Sequence, residues 1–157
     1  MEFPAAKTIP LHEAKPLNWG IAAPGEIAGM FTAAVNTYGT QNIAAVGSRS
    51  LERASAFAKE HSIDHVFGSY DALFASDAIE AVYISNHIDG HLDLANAALE
   101  AGKHVLVEKP LHYSPRKAEE TLERARAKGL LMTEAMWTRY LPQASVIRQI
   151  LDSEEFG

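Results

Sequence analysis

Short apolar runs alternate with longer amphipathic stretches from Trp19 onward, and few folds accept that rhythm. WGIAA (19–23), NIAAVGS (42–48), HVFG (65–68), AVYIS (81–85), HVLVE (104–108) and LLMTEA (130–135) read as strands. Helices are predicted over 27–38, 51–61, 69–76, 88–101 and 114–129, with a last one starting near Pro142. Their punctuation agrees: Ser69 and Ser114 sit at N-cap positions, Pro115 at a first helical position, and Gly102 and Gly129 at stops. AVYIS and HVLVE are apolar on both faces, as strands of a covered parallel sheet should be. Strand–helix alternation of this kind implies an α/β fold, a doubly wound parallel sheet joined by right-handed crossovers. One such domain is expected over 18–142, after a loosely ordered lead-in over 1–17 and before a final helix over 143–157.

Composition narrows the partners. The 157 residues are 47% hydrophobic, enough for one core, and carry a net charge of −6, which argues against coating nucleic acid or an anionic membrane. The chain has no cysteine, so thiolate chemistry and disulfides are excluded. No apolar run approaches the roughly 20 residues of a bilayer span. The proline- and charge-bearing first 18 residues lack the apolar centre of a secretory signal. A cytoplasmic protein is expected.

Doubly wound sheets bind ligands beyond the carboxyl ends of their strands. After the first strand, Ala23-x-Gly25-x-x-Ala28 approximates the dinucleotide fingerprint, with Ala23 in place of its first glycine. Gly25 would admit a pyrophosphate close to the backbone and Ala28 would let the helix pack tightly; an ordinary Pro-Gly turn is the alternative. The second strand ends in Gly47-Ser48-Arg49-Ser50, with Arg53 a turn later and no carboxylate to hold a ribose 2′-hydroxyl. Hydroxyls and guanidinium groups suit a 2′-phosphate, which favours NADP over NAD, although a serine here could simply cap the next helix. Past the fourth strand stand Ser85, Asn86, His87 and His91. The two histidines, one helical turn apart, have no third ligand at matching spacing, so no metal site is assigned. Asn86 and His87 line a cofactor or substrate crevice or cap the following helix. Glu108-Lys109-Pro110 ends the fifth strand; proline holds Lys109 extended at the sheet's edge. An ammonium fixed there can donate to a substrate hydroxyl or carbonyl, and Glu108 can accept from a ribose; a surface ion pair is the plainer alternative.

Taken together, WGIAAPGEIAGMF, AVGSRSLERASAFA, AVYISNHIDGH, EAGKHVLVEKPL and MTEAMWTRYLP resemble the N-terminal domain of the Gfo/Idh/MocA oxidoreductases, the glucose–fructose oxidoreductase and inositol dehydrogenase family. The resemblance implies a Rossmann domain that uses NADP or NAD to oxidise or reduce a sugar, polyol or dihydrodiol-type substrate. It places the pyrophosphate on Gly25, Glu26, Ile27 and Ala28, and the adenosine ribose on Ser48 and Arg49. Ser85, Asn86 and His91 would lie along the cofactor, Glu108 near the nicotinamide ribose, and Lys109 at the substrate as the catalytic residue. Trp137 and Arg139 match the W-x-R-x-x-P variant of NADP-linked members. A second α/β domain is implied after LDSEEFG, bringing the acid–base partner of Lys109 and the interface of a homo-oligomer. This chain alone is therefore expected to be inactive. The competing expectations are a non-catalytic nucleotide-binding or sensor domain, and a cofactor-free scaffold.

Overall fold

The computed structural model describes residues 3–8, 10 and 13–153. Parts of the lead-in (1, 2, 9, 11 and 12) and the end of the final helix expected over 143–157 (154–157) lie outside the described residues. The described chain divides into two compact units: Pro16–Ala135, and the described parts of Met1–Lys15 with Met136–Gly157.

The larger unit holds six parallel strands and five helices. In chain order these are β1 (Asn18–Ala22), α1 (Glu26–Tyr38), β2 (Asn42–Gly47), α2 (Leu51–His61), β3 (His65–Phe67), α3 (Tyr70–Phe74), β4 (Ala81–Ile84), α4 (His91–Glu100), β5 (His104–Val107), α5 (Pro115–Ala127) and β6 (Met132–Glu134). The strand order is β3-β2-β1-β4-β5-β6, the doubly wound arrangement, with its switch point between β1 and β4.

Strand periodicity sorts the core into two layers. Ala22, Val82, Ile84, Val105 and Val107 face one side, where they pack with Leu73, Leu92, Ala95 and Leu99. Ile21, Val46 and Tyr83 face the other, with Ala28, Ala54 and Phe57 of α1 and α2. HVLVE is covered less evenly than its apolar pattern suggests: Val105 and Val107 are buried, whereas His104 and Leu106 are half-buried. On that face α1 and α2 lie over β2 and β3.

Caps agree with the sequence. The hydroxyls of Ser50, Ser69 and Ser114 accept from the amides of Arg53, Ala72 and Lys117 at the starts of α2, α3 and α5. Gly102 and Gly129 end α4 and α5 in the left-handed region, at φ 76° and 68°. One helix begins later than expected. Ile88–Gly90 forms a 3-10 turn and α4 starts only at His91, so His87 and His91 are not stacked on one helical face.

In the smaller unit α6 (Pro142–Leu151) follows a 3-10 turn over Trp137–Arg139. Part of the lead-in is tied to α6 rather than loose: the Lys7 amide donates to Ser145 Oγ at 2.8 Å, and Gln149 Nε2 donates to the Ala5 carbonyl at 3.0 Å.

Candidate functional site

The register aligns the carboxyl ends of the strands. Gly47, Ala22, Ile84, Val107 and Glu134 form one row across five strands. Ser48, Ala23, Ser85 and Glu108 each stand one residue beyond it. Neighbouring strands lie about 4.8 Å apart, so the Gly25 loop and the Lys109 turn share one rim, two strand spacings apart.

The β1 end is a cradle of backbone. Ala23 takes φ 68°, a left-handed conformation that L side chains resist, and so replaces the usual glycine at the expense of strain. Gly25 is the N-cap of α1 without a side-chain cap, and a Cβ added there would meet nothing within 4 Å. The first bond of α1 runs from the Gly29 amide to the Gly25 carbonyl, leaving the amides of Glu26, Ile27 and Ala28 outside the helical ladder. Ala28 is fully buried against the sheet, whereas Glu26 and Ile27 are exposed.

Beside this cradle lies a cavity of about 530 Å³. Its walls are the Ala23–Gly25 loop, Ser48, Arg49, Ser50 and Arg53 from the β2 end, Tyr70 of α3, and Ser85, Asn86 and His87 from the β4 end. No carboxylate is among them. Ser48 is buried and its Oγ accepts from the Ser50 amide at 3.2 Å; Arg49 is exposed. Arg53 Nη2 donates to the Pro24 carbonyl at 3.2 Å, joining α2 to the cradle. Ser85 Oγ donates to the Ala23 carbonyl at 3.1 Å. Asn86 Oδ1 is buried without a hydrogen-bond partner, and its Nδ2 lies so close to Gly90 that a Cβ there would clash. Exposed His87 lies 3.0 Å from Asp89 Oδ2.

The β5 end is built from side chains. Tyr83, 2% exposed, donates from its hydroxyl to Glu108 Oε1 at 2.6 Å, and the Lys109 amide donates to Glu108 Oε2 at 3.1 Å. Burial pushes the Tyr83 phenol well above the ordinary tyrosine range, and the hydrogen bond and charge of Glu108 add to the effect. Glu134 Oε1 accepts from the Leu111 amide at 2.7 Å. The Lys109–Pro110 peptide is cis, and both residues are exposed.

His91, expected along the cofactor, is buried in the fold. It is 2% exposed, with Nδ1 3.0 Å from the Pro110 carbonyl oxygen and Nε2 2.9 Å from that of Asn86. A backbone carbonyl oxygen faces each ring nitrogen, and a neutral ring donates from one of them, so the ring bridges the β4 end and the turn after β5. His91 shares the buried face of α4 with Ala95, Ala98 and Leu99, whereas His87 precedes the 3-10 turn and is exposed. Among the described residues no group of three or more potential ligands could hold a metal. Trp137 and Arg139 are exposed and belong to the smaller unit.

Residues 17–136 match the model of an oxidoreductase family with an NAD-binding Rossmann fold. The chain belongs to the Gfo/Idh/MocA family. Its relatives include trans-1,2-dihydrobenzene-1,2-diol dehydrogenases of Homo sapiens and Macaca fascicularis, each 35% identical over 90% of this chain and 43% of their own length. A 3-ketoreductase from Actinomadura kijaniata, solved with TDP-benzene and NADP, superposes with a TM-score of 0.80 at 31% identity, covering 88% of this chain and 44% of its own. Scyllo-inositol dehydrogenase from Lactobacillus casei, solved with NAD(H) and scyllo-inositol, shares the fold at 24% identity and a TM-score of 0.80, over 91% of this chain and 43% of its own. The chain thus spans less than half the length of these relatives. It is an NAD(P)-binding domain of an oxidoreductase family.

The sequence reading singles out neither Tyr70, which lines the cavity, nor Tyr83 and Glu134, whose side chains bond groups at the β5 end. For Tyr83 a signal exists: a tyrosine inside a doubly apolar strand needs a partner for its hydroxyl. Strand periodicity puts Glu108 on its face, because Tyr83 pairs with Leu106 two residues before it. For Tyr70 and Glu134 the sequence holds no comparable signal.

Proposed function

We propose that the domain binds NADP in preference to NAD, as the cofactor half of an oxidoreductase acting on a sugar, polyol or dihydrodiol-type substrate. The observation that carries this reading is the cavity at the β1 and β2 ends: unpaired helix-start amides on one side, Arg49, Arg53 and serine hydroxyls on the other, and no carboxylate in its walls. The residues present fit such a group. The α1 amides suit a pyrophosphate, the guanidinium groups suit a 2′-phosphate, and the orphaned Asn86 Oδ1 offers an acceptor to a ribose hydroxyl. The cofactor, when bound, supplies the redox chemistry. The chain's own part is to hold and orient: Glu108 to accept from the nicotinamide ribose, and Lys109 to donate from its ammonium to the substrate oxygen. The relatives' greater length supports a cleft completed elsewhere, so this chain alone should show negligible turnover with NADPH and small aldoses. Sustained turnover by the chain would refute that part.

Titration of NADPH, NADH and adenosine 2′,5′-bisphosphate against the intrinsic tryptophan fluorescence tests the cofactor assignment. NADPH should bind at least ~10-fold more tightly than NADH, and replacing both Arg49 and Arg53 with Ala should remove most of that margin. A preference for NADH overturns the NADP reading. Binding of none of the three returns the domain to a cofactor-free scaffold.

A further inference from the structure

We propose that Tyr83 is a positioning residue: its buried hydroxyl holds the Glu108 carboxylate in one orientation at the rim and thereby sets how tightly the nicotinamide half of the dinucleotide is bound. The inference rests on the cofactor reading above. Its starting point is a hydroxyl that packing does not require. The Tyr83 ring stacks on Phe31 at 4.1 Å and 20°, and Phe31 meets Trp19 edge-on at 5.9 Å, so the ring alone accounts for the aromatic column beneath the rim. Phenylalanine would fill the same space without a polar atom to bury. A buried hydroxyl is unfavourable unless it finds a partner, and here the partner is Glu108 at 2.6 Å.

The consequence falls on Glu108. A free glutamate side chain spreads over several rotamers, and holding it still opposes its conformational entropy. Tyr83 engages Oε1 and the Lys109 amide engages Oε2, so both oxygens are placed before any ligand arrives. The donor that fixes Oε1 comes from the core of the sheet, not from a mobile surface group. The remaining lone pairs are thus presented from a fixed carboxylate beside Lys109, which is preorganisation of the kind that favours binding. Tyr83 itself is 2% exposed and does not line the cavity.

The test uses the 157-residue chain and two ligands, NADPH and adenosine 2′,5′-bisphosphate, which lacks the nicotinamide half. Tyr83→Phe should weaken NADPH about 3–10-fold while leaving the bisphosphate within about twofold of wild type. Glu108→Ala should show the same selective loss, and adding Tyr83→Phe to it should weaken NADPH no further, because the hydroxyl acts only through the carboxylate. Wild-type affinity for NADPH in Tyr83→Phe overturns the inference. So does an equal loss for both ligands, the mark of a merely structural role, or losses that add in the double variant. If Tyr83→Phe does not fold, the hydroxyl is needed for the fold and the inference is overturned. A wild-type chain that binds neither ligand overturns the dinucleotide reading first, and this inference with it.

Discussion

The two halves of the rim are built from opposite materials. At the β1 end the working groups are backbone amides left over where a helix begins, and the nearest cations are exposed arginines. At the β5 end they are side chains whose polar atoms are already committed: Tyr83 to Glu108, His91 to the carbonyls of Asn86 and Pro110, Glu134 to the Leu111 amide. A cradle of unpaired amides can accept any anion of the right size without rearrangement. The locked turn instead fixes where single functional groups stand. Anchoring a diphosphate needs only the first property, whereas aiming one ammonium and one carboxylate needs the second.

The largest effect expected from this contrast is on the locked side. His91→Ala removes a buried ring and the N–H it offers to the Asn86 or the Pro110 carbonyl, so it should lower stability by about 2–4 kcal/mol in urea unfolding. A loss under about 0.5 kcal/mol would mean that the turn holds itself and the contrast is false. The cradle should behave in the reverse way. Gly25 has open space around a would-be Cβ and an extended φ of −161°, so Gly25→Asp is sterically tolerated and also caps α1. Stability should hold or rise by a few tenths of a kcal/mol, while the added carboxylate, set against the bound phosphates, weakens NADPH at least ~30-fold by titration. Destabilisation would show that the cradle carries part of the fold after all. The smallest effect is at Ala23. Ala23→Gly relieves a left-handed alanine at φ 68° but adds freedom to the unfolded chain, for a net gain of about 0.5–1 kcal/mol in thermal unfolding. No gain would place the strain elsewhere.

The cradle was legible because it is local. Ala23, Gly25 and Ala28 lie within six residues, and a strand followed by a helix fixes where they must point. The Ser50 cap and the glycine stops were legible for the same reason. The locked turn was legible only as a place. Glu108, Lys109 and Pro110 could be set at a strand end, but not the contacts of His91, which reaches backwards to Asn86 and across to Pro110. The helical period puts His91 on the buried face with Ala95 and Ala98, but the carbonyls it meets depend on how the β4 and β5 ends stand side by side. Tyr83 finds Glu108 across 25 residues, and Glu134 finds Leu111 across 23.

Sequence alone determined the alternation, hence the parallel sheet, its two apolar layers and the edge at which ligands gather. It also determined that this edge carries amides, guanidinium groups and one lysine. The partners of the buried polar groups were decided only by tertiary structure. Periodicity assigns a residue to a face, but a hydrogen bond forms only within about 3.2 Å, and that distance depends on strand order and register. The register that sets Tyr83 opposite Leu106, two residues before Glu108, turned a buried phenol and a terminal carboxylate into a pair.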